Sequence, residues 1–205
     1  MKIGILGAGR VGSSLGGGWI KAGHAVMFGV RDPQSGSGQR ARETFGDSAQ
    51  ISTMHETAAF GEIVVLAIPW AAVHEILGDL GDTLDGKVLV DATNRFGPAQ
   101  PGDGPSAGED VAKMVPRAKL VKAFNTMSAE TMANPDFDGE AMTAFICGDD
   151  AEAKATVMQL ARDLGMDAAE IGPLSNAGLQ ESLTMLWFNL TRTYGRESGF
   201  RFLRR

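Results

Sequence analysis

The 205-residue sequence has little of what most often marks a secreted or metal-binding protein. Its single cysteine, Cys147, excludes an internal disulfide and is typical of a protein in the reducing cytoplasm. The same residue lies in the apolar run 141–147, which indicates a buried strand thiol rather than a nucleophile. The histidines, His24, His55 and His74, have no metal-ligand spacing among themselves or with Cys147, so no metal site is expected.

Long hydrophobic runs and an excess of positive charge are also missing. No apolar segment approaches the length of a membrane span, and Lys2 leads directly into a predicted strand rather than a signal peptide. With 19 Lys and Arg against 25 Asp and Glu, the formal net charge is −6, which argues against binding to nucleic acids or anionic membranes. We therefore expect a cytoplasmic protein with neither a nucleic-acid nor a membrane partner.

Glycine, by contrast, is abundant, and three of the 27 glycines follow the first apolar run. Gly7, Gly9 and Gly12 have the spacing G-x-G-x-x-G, between a predicted strand and a helix predicted from about Val11 to Lys21. In dinucleotide-binding units the first glycine permits a tight turn, the second lets a pyrophosphate approach the backbone, and the third lets the helix pack on the strand. The spacing predicts a dinucleotide site, and the alternative is a turn whose glycines serve packing alone.

Apolar runs of strand length alternate with helix-like segments along the whole chain. This alternation predicts an α/β fold: a Rossmann-type, doubly wound parallel sheet with a small C-terminal helical extension. We expect a dinucleotide-binding domain over residues 1–148 and a strand-and-helix extension packed on it over 149–205. The last helix has an apolar stripe that either covers the sheet or pairs with the same helix of a second subunit, so a homodimer is expected. The stripe consists of Leu179, Leu183, Leu186, Trp187 and Leu190.

The end of the second predicted strand indicates which dinucleotide is bound. Val30 and Arg31 lie about twenty residues beyond the glycine motif, where the adenosine ribose is read. Arg31 is the natural partner of a 2′-phosphate, and the hydroxyls of Ser35 and Ser37 can add contacts to it. Asp32 is the alternative, because a carboxylate here binds the ribose hydroxyls of NAD. The sequence favours NADP.

Other candidates follow the ends of predicted strands, where ligands of such sheets bind. Ile68, Pro69 and Trp70 end the clearest buried strand, and Trp70 either contacts a ligand or packs at the start of the next helix. Asn94 and Asn125 follow two later strands. Each either bonds the nicotinamide ribose or carboxamide, or is an ordinary turn asparagine.

These motifs together make the sequence similar, nearly from end to end, to the F420H2:NADP oxidoreductases, which are NADPH-dependent reductases of the deazaflavin coenzyme F420. The shared pieces are Gly7–Gly12, Gly29–Arg31, Ala67–Trp70, Cys147–Asp150, Gly172–Asn176 and Glu181–Leu183. The resemblance implies a nicotinamide that faces a deazaflavin across a cleft beside a Rossmann domain. It also implies pyrophosphate binding at Gly9, Arg10, Val11 and Gly12, a 2′-phosphate at Arg31, and a nicotinamide lined by Trp70, His74 and the segment from Asn125 to Ala129.

The sequence departs from that family pattern at two positions. Val30 stands where archaeal members often have a serine, and Asn125 stands where they have a histidine. The segment Lys122–Thr126 is similar instead to the reductase domain of the six-transmembrane metalloreductases, which pass electrons from NADPH to a flavin. The acceptor implied is thus either coenzyme F420 or a flavin, FMN or FAD. A flavin or metal reductase and a non-catalytic, redox-sensing NADP-binding module are the alternatives.

No cluster of histidine, cysteine and acidic residues suited to nucleophilic or acid–base catalysis is apparent, so no catalytic side chain is predicted. Hydride transfer between two planar rings needs positioning and the exclusion of water rather than such groups. The glycine- and proline-rich segment Gly97–Gly108 is expected to be either a lid over the site or a disordered bulge.

Overall fold

The computed structural model describes residues 1–97 and 103–205, in which strands and helices alternate as the sequence predicts. The strands are β1 Lys2–Leu6, β2 Ala25–Val30, β3 Gln50–Thr53, β4 Ile63–Leu66, β5 Val88–Asp91, β6 Lys119–Lys122, β7 Asp136–Phe137, β8 Glu140–Ala141, β9 Thr143–Gly148 and β10 Asp167–Glu170. The helices are α1 Arg10–Lys21, α2 Gly36–Phe45, α3 Met54–Phe60, α4 Val73–Leu80, α5 Ala107–Met114, α6 Ala129–Ala133, α7 Ala151–Asp163 and α8 Ala177–Tyr194.

In the described residues, eight of the strands form one sheet in the order β10-β9-β6-β5-β4-β1-β2-β3. Strands β1 to β6 are parallel, and the chain reverses its direction of winding between β1 and β4. The predicted Rossmann-type α/β fold is therefore confirmed. One expectation fails, because β9 runs antiparallel to β6. The segment between them has the five-residue helix α6, which packs on α1, and the β7–β8 hairpin, so it is no ordinary crossover helix.

The sheet separates two apolar clusters, one on each face. Alternate side chains of a strand point to opposite faces, and β4 shows this directly. Val65 belongs to the cluster beneath α1 and α7, whereas Val64 and Leu66 belong to the cluster beneath α4 and α5. All three side chains are fully buried, as expected for a sheet covered on both sides.

Helix α1 approaches its neighbours closely through its three consecutive glycines. A Cβ on Gly16 would overlap the ring of Phe28, and one on Gly18 would overlap the side chain of Leu164. Glycine costs roughly 1 kcal/mol in a helix interior relative to alanine, and close packing offsets that cost. At Gly16 and Gly18 the atoms that pack closely against the helix belong to the protein itself, not to a ligand.

Two boundaries differ from the sequence-based expectation. The sequence pattern predicts a helix over Asp110–Met114, but α5 begins at Ala107, because the hydroxyl of Ser106 accepts a hydrogen bond from the amide of Glu109 at 3.1 Å and caps the helix. The predicted loop 97–108 is therefore shorter at its end, and its residues 98–102 lie outside the described part of the chain.

The predicted strand Ala141–Cys147 is divided by a hairpin. Ala141 belongs to β8, and β9 begins only at Thr143. The preceding turn contains Asp138 and Gly139 at φ values of 53° and 88°, a left-handed conformation that reverses the chain and starts the hairpin pair.

The alternative that the apolar stripe of α8 covers the sheet does not hold for two of its five members. Leu179 is 66% exposed and Leu186 is 50% exposed, whereas Trp187 is buried. The buried positions of the helix are Ala177, Gln180, Thr184 and Trp187. Polar residues occupy this face because their side chains bond to backbone carbonyls below, that of Phe145 in β9 and that of Asn125 after β6, which an apolar pattern does not reveal.

Candidate functional site

The turn between β1 and α1 has one glycine that the protein's own packing does not require. Gly7 has a φ of 112° and donates its amide to the carbonyl of Gly29 at 2.9 Å. A Cβ on Gly12 would overlap the carbonyl oxygen of Gly7, so packing requires glycine there. A Cβ on Gly9 would meet no protein atom within 4 Å. The open space at Gly9 is where a dinucleotide-binding turn admits a phosphate.

A cavity of about 430 Å³ lies beyond the carboxyl ends of β1, β2 and β4, which we call the β1–β4 cavity. It adjoins the point where the direction of winding reverses, which is the usual ligand position in open α/β sheets. The predicted site residues that line it are Gly7, Gly9, Val30, Arg31, Ser37, Ile68 and Pro69. Its other lining residues are Ala8, Gly29, Arg40, Met54, Ala71, Ala72 and Ile76.

The structure places Arg31 and Asp32, the two residues predicted as alternatives at the adenosine ribose, differently. Arg31 lines the β1–β4 cavity, and its guanidinium lies 3.5 Å from the carboxylate of Glu75 on α4. Asp32 does not line this cavity; its carboxylate accepts the amide of Gln34 at 2.8 Å and closes a local turn. Ser35 also turns away, since its hydroxyl donates to the carbonyl of Asp32 at 2.5 Å. Of these two predicted candidates, Arg31 is thus the one that lines the cavity.

The remaining motif residues lie beside the cavity rather than in its wall. Arg10 begins α1 and forms an ion pair with Glu130, which also lies 3.4 Å from the guanidinium of Arg196. Val11 is half-buried in α1, and Ala129 is buried at the start of α6. The Arg10 side chain is therefore directed towards α6, and the structure does not bring these residues to the β1–β4 cavity.

Asn94 and Asn125 bond to each other. The Asn94 amide donates to the Asn125 carbonyl at 2.9 Å, and the Asn125 amide donates to Asn94 Oδ1 at 3.1 Å. Asn125 is buried, donates also to the hydroxyl of Thr184 and accepts from Gln180 at 3.3 Å. Because its amide is fully engaged within the protein, Asn125 fits the turn alternative and holds Asn94 in place. Phe124, at φ 64°, supplies the left-handed residue that makes this turn.

Trp70 and His74 take no part in the cavity wall. Trp70 is half-buried against the apolar cluster beneath α4, and the guanidinium carbon of Arg95 lies 5.9 Å from its ring centre. The packing alternative therefore fits Trp70. His74 is exposed on α4 and lines neither the β1–β4 cavity nor the second cavity described next.

A second cavity, of about 290 Å³, lies between the segment after β5 and helix α8, and we call it the α8 cavity. Asn94, Arg95 and Phe96 line one side of it. Phe96 is 57% exposed, and Arg95 is held by the carboxylate of Asp110 at 2.6 Å. The other lining residues are Gly97, Pro105, Gly178, Glu181, Ser182, Thr184 and Met185.

A buried ion pair supports this edge of the sheet. The ammonium of Lys122 donates to the carboxylate of Asp91 at 2.8 Å and to the carbonyl of Thr93 at 2.6 Å, and it lies 3.6 Å from the carboxylate of Glu181. Glu181 in turn accepts the amides of Ala107 and Gly108 at the start of α5. The charges therefore connect β5, β6, α5 and α8 beneath the asparagine pair.

Cys147 is fully buried in β9, as its sequence context predicts. Its thiol donates to the side-chain oxygen of Gln180 at 2.8 Å, and burial raises the pKa of the thiol to about 12. The thiol stays protonated at neutral pH, so it lacks the thiolate form that a nucleophile needs. Among the described residues there is no group of three or more His, Cys, Asp or Glu placed to hold a metal ion, and no helix long and apolar enough to cross a bilayer.

Comparison with known proteins identifies the family to which the chain belongs. Residues 2–95 match the family described as NADP oxidoreductase, coenzyme F420-dependent. An F420-dependent NADP reductase of Methanothermobacter marburgensis is 30% identical over 209 aligned residues, which cover 93% of this chain and 92% of that protein. The chain belongs to the coenzyme F420-dependent NADP oxidoreductase family. The resemblance drawn from the motifs is confirmed.

Two further relatives bear on the fold and on the acceptor of this family member. A solved structure of a candidate F420-dependent NADP-reductase from Arthrobacter sp. FB24 is 31% identical, with a TM-score of 0.88 and complete coverage of both chains. Metalloreductase STEAP3 of Rattus norvegicus is 32% identical over 184 residues, which cover 90% of this chain. The chain spans only 36% of the length of that metalloreductase.

Proposed function

We propose that this protein binds NADP(H) in the β1–β4 cavity and exchanges a hydride with coenzyme F420. The observation that carries the nucleotide half is Gly9, a glycine that packing does not require, open to a cavity that an arginine also lines. In this proposal Gly7, Gly9, Val30, Arg31, Ile68 and Pro69 contact the nucleotide, and residues 1–148 form its binding domain. The nicotinamide supplies or takes the hydride, and the protein's part is to hold two planar rings together and exclude water.

For the acceptor we propose the α8 cavity. Asn94, which follows the carboxyl end of β5, lines this cavity, and Phe96 gives it a planar apolar wall. The segment 149–205 then supplies its second wall through α8. Asn94 is the group offered to the ring system, and Asn125 positions it. The described residues that line this cavity include no histidine or cysteine, and the carboxylate among them, Glu181, is held by the amides of Ala107 and Gly108.

The other predicted contacts act from behind the cavity wall in this proposal. Gly12 and Val11 fix the approach of α1 to the turn, and Arg10 and Ala129 tie α1 to α6. Trp70 and Ser35 shape the segments that follow β4 and β2, and His74 lies exposed on α4 nearby. These residues would influence nucleotide affinity through position rather than through direct bonds.

A flavin reductase is the second candidate function. Its support is the likeness to metalloreductase STEAP3 and the presence of Asn125 in the segment Lys122–Thr126. FMN or FAD would then take the place of coenzyme F420 as the co-substrate. In either case we propose a soluble reductase of the cytoplasm, where a single cysteine stays reduced.

The test offers one acceptor at a time. NADPH oxidation is followed in the absence of oxygen with coenzyme F420, FMN or FAD, using the wild-type protein and the Gly9→Ala variant as a control. We expect oxidation with coenzyme F420 that is at least about tenfold slower with the variant at limiting NADPH concentrations. Oxidation only with FMN or FAD would replace the first candidate by the second. Tight NADPH binding without oxidation in any mixture would contradict both and indicate a redox-sensing module.

We also propose a homodimer formed through α8. Leu179, Leu183, Leu186 and Leu190 are spaced by four, three and four residues, the repeat with which two helices pack side by side. Leu179 and Leu186 are at least half exposed in the single chain. A second copy of the same helix offers a matching apolar seam, and a two-fold axis pairs the same surface of both subunits.

A further inference from the structure

Helix α2 brings a second arginine to the β1–β4 cavity. Arg40 lines this cavity together with Arg31 and Ser37. Its guanidinium folds back over the start of the helix, with Nη1 3.3 Å from the place that a Cβ on Gly36 would take. Because position 36 has no side chain, the guanidinium can lie across the first turn of α2.

The two arginines of the cavity differ in their partners. The guanidinium of Arg31 lies 3.5 Å from the carboxylate of Glu75. Among the described residues, Arg40 has no ion pair and its guanidinium makes no hydrogen bond. Arg42, two positions further along α2, is engaged with the carbonyl of Pro33 at 2.6 Å and does not line the cavity. Arg40 is thus the cation of α2 that is both at the cavity and available to an anion.

The serines beside Arg40 differ in the same way. Ser35 donates its hydroxyl to the carbonyl of Asp32 and does not line the cavity. Ser37 lines the cavity, with its hydroxyl 2.9 Å from that of Ser35. An arginine and a serine hydroxyl side by side match the oxygens of a phosphate monoester, to which guanidinium groups form strong charge-assisted hydrogen bonds.

We propose that Arg40, with Ser37, is the main reader of the 2′-phosphate of NADP, and that Glu75 restrains Arg31 to a secondary contact. The inference rests on the proposed nucleotide site and adds to it a specificity residue from α2. The guanidinium of Arg31 shares its donors with the exposed carboxylate of Glu75, whereas that of Arg40 gives up only water. Glu75 also repels the phosphate itself. It therefore lowers the affinity for NADP in two ways, by competing for Arg31 and by this repulsion.

The experiment is isothermal titration with two fragments of the cofactor. One is 2′,5′-ADP, which has the 2′-phosphate, and the other is 5′-ADP, which lacks it. The variants are Arg40→Ala, Arg40→Lys, Arg31→Ala and Glu75→Gln, with Arg192→Ala on α8 as a control of equal charge change. Arg40 and Arg192 are exposed, so neither alanine disturbs the core, and thermal melts followed by circular dichroism verify this.

We expect Arg40→Ala to weaken 2′,5′-ADP about tenfold or more, the loss typical of a charge-assisted bond. Arg40→Lys should retain part of the affinity. Loss of Arg31 should cost roughly threefold, and Glu75→Gln should tighten binding by about the same factor, as for exposed ion pairs. The affinity for 5′-ADP should change by less than about twofold in every variant, and Arg192→Ala should match the wild type.

Two results would overturn the inference while leaving the proposed function intact. One is a wild-type affinity for 2′,5′-ADP in Arg40→Ala together with its loss in Arg31→Ala. The other is an equal loss of 2′,5′-ADP and 5′-ADP in Arg40→Ala, which would show that Arg40 does not read the phosphate. A wild-type protein that binds neither fragment nor NADPH would instead remove the nucleotide site itself.

Discussion

Replacing Gly9 by alanine adds a methyl group that meets no protein atom within 4 Å. The backbone at Gly9 has φ −78° and ψ −172°, an extended conformation that alanine adopts without strain. Alanine lowers the conformational entropy of the unfolded chain, which stabilises the fold by about 0.4–1 kcal/mol. Alanine is also a poorer N-cap than glycine, which destabilises the fold by a similar amount. The free energy of unfolding should therefore change by less than about 1 kcal/mol.

Binding should respond very differently to the same methyl group. In the proposed site the methyl occupies the space through which the nucleotide pyrophosphate reaches the backbone amides. We expect the affinity for NADPH to fall at least about tenfold, which corresponds to a loss of roughly 1.4 kcal/mol. Titration by tryptophan fluorescence gives the affinity, and urea denaturation gives the free energy of unfolding.

Two matched substitutions separate the effects. Gly12→Ala should destabilise the protein by about 1–3 kcal/mol, because its Cβ overlaps the carbonyl oxygen of Gly7. Gly78→Ala, in α4, adds a methyl to open space at a position that does not line the β1–β4 cavity, and it should leave NADPH affinity unchanged. Unchanged NADPH affinity in Gly9→Ala would refute the reasoning, since it would show that glycine is not needed there for the nucleotide.

Three further predictions concern the rest of the fold. Lys122→Met leaves the buried carboxylate of Asp91 without its ammonium partner, so urea denaturation should show a loss of about 3–5 kcal/mol; a loss below about 1 kcal/mol would contradict the importance of the pair. Because burial raises the pKa of Cys147 to about 12, iodoacetamide should not react with the native protein at neutral pH, and stability should be complete below the ordinary thiol pKa and fall as pH rises towards 12; rapid native alkylation would contradict this. The double variant Leu179→Glu and Leu186→Glu should sediment as a monomer where the wild type sediments as a dimer, and an unchanged dimer would place the interface elsewhere.

Local sequence signals located the turn and the arginine that line the β1–β4 cavity. The turn from β1 to α1 depends on glycines at fixed spacing, and Arg31 follows β2 directly, so both are set by neighbours in the chain. The Rossmann-type alternation was also readable, because each buried strand is a short apolar run. The antiparallel pairing of β9 with β6 was not, since strand direction depends on how the intervening segment packs.

Longer-range features were predicted less well for identifiable reasons. Arg40 lies on a short, polar helix whose pattern does not show which side chains reach the cavity. The buried face of α8 is partly polar, with Gln180 donating to the carbonyl of Phe145 and Thr184 donating to that of Asn125. The apolar stripe therefore did not identify the buried face of α8. That face is recognised only from the hydrogen bonds that its polar side chains make to the backbone beneath the helix.

Direct hydride transfer is tested most sharply with an isotopic label. NADPH carrying deuterium at the transferred position of the nicotinamide is mixed with coenzyme F420 and the protein in the absence of oxygen, and the reduced acceptor is examined by mass spectrometry. The account predicts that deuterium from the nicotinamide appears in the deazaflavin. Failure of the deazaflavin to become reduced, or its reduction with hydrogen from solvent alone, would contradict the central claim.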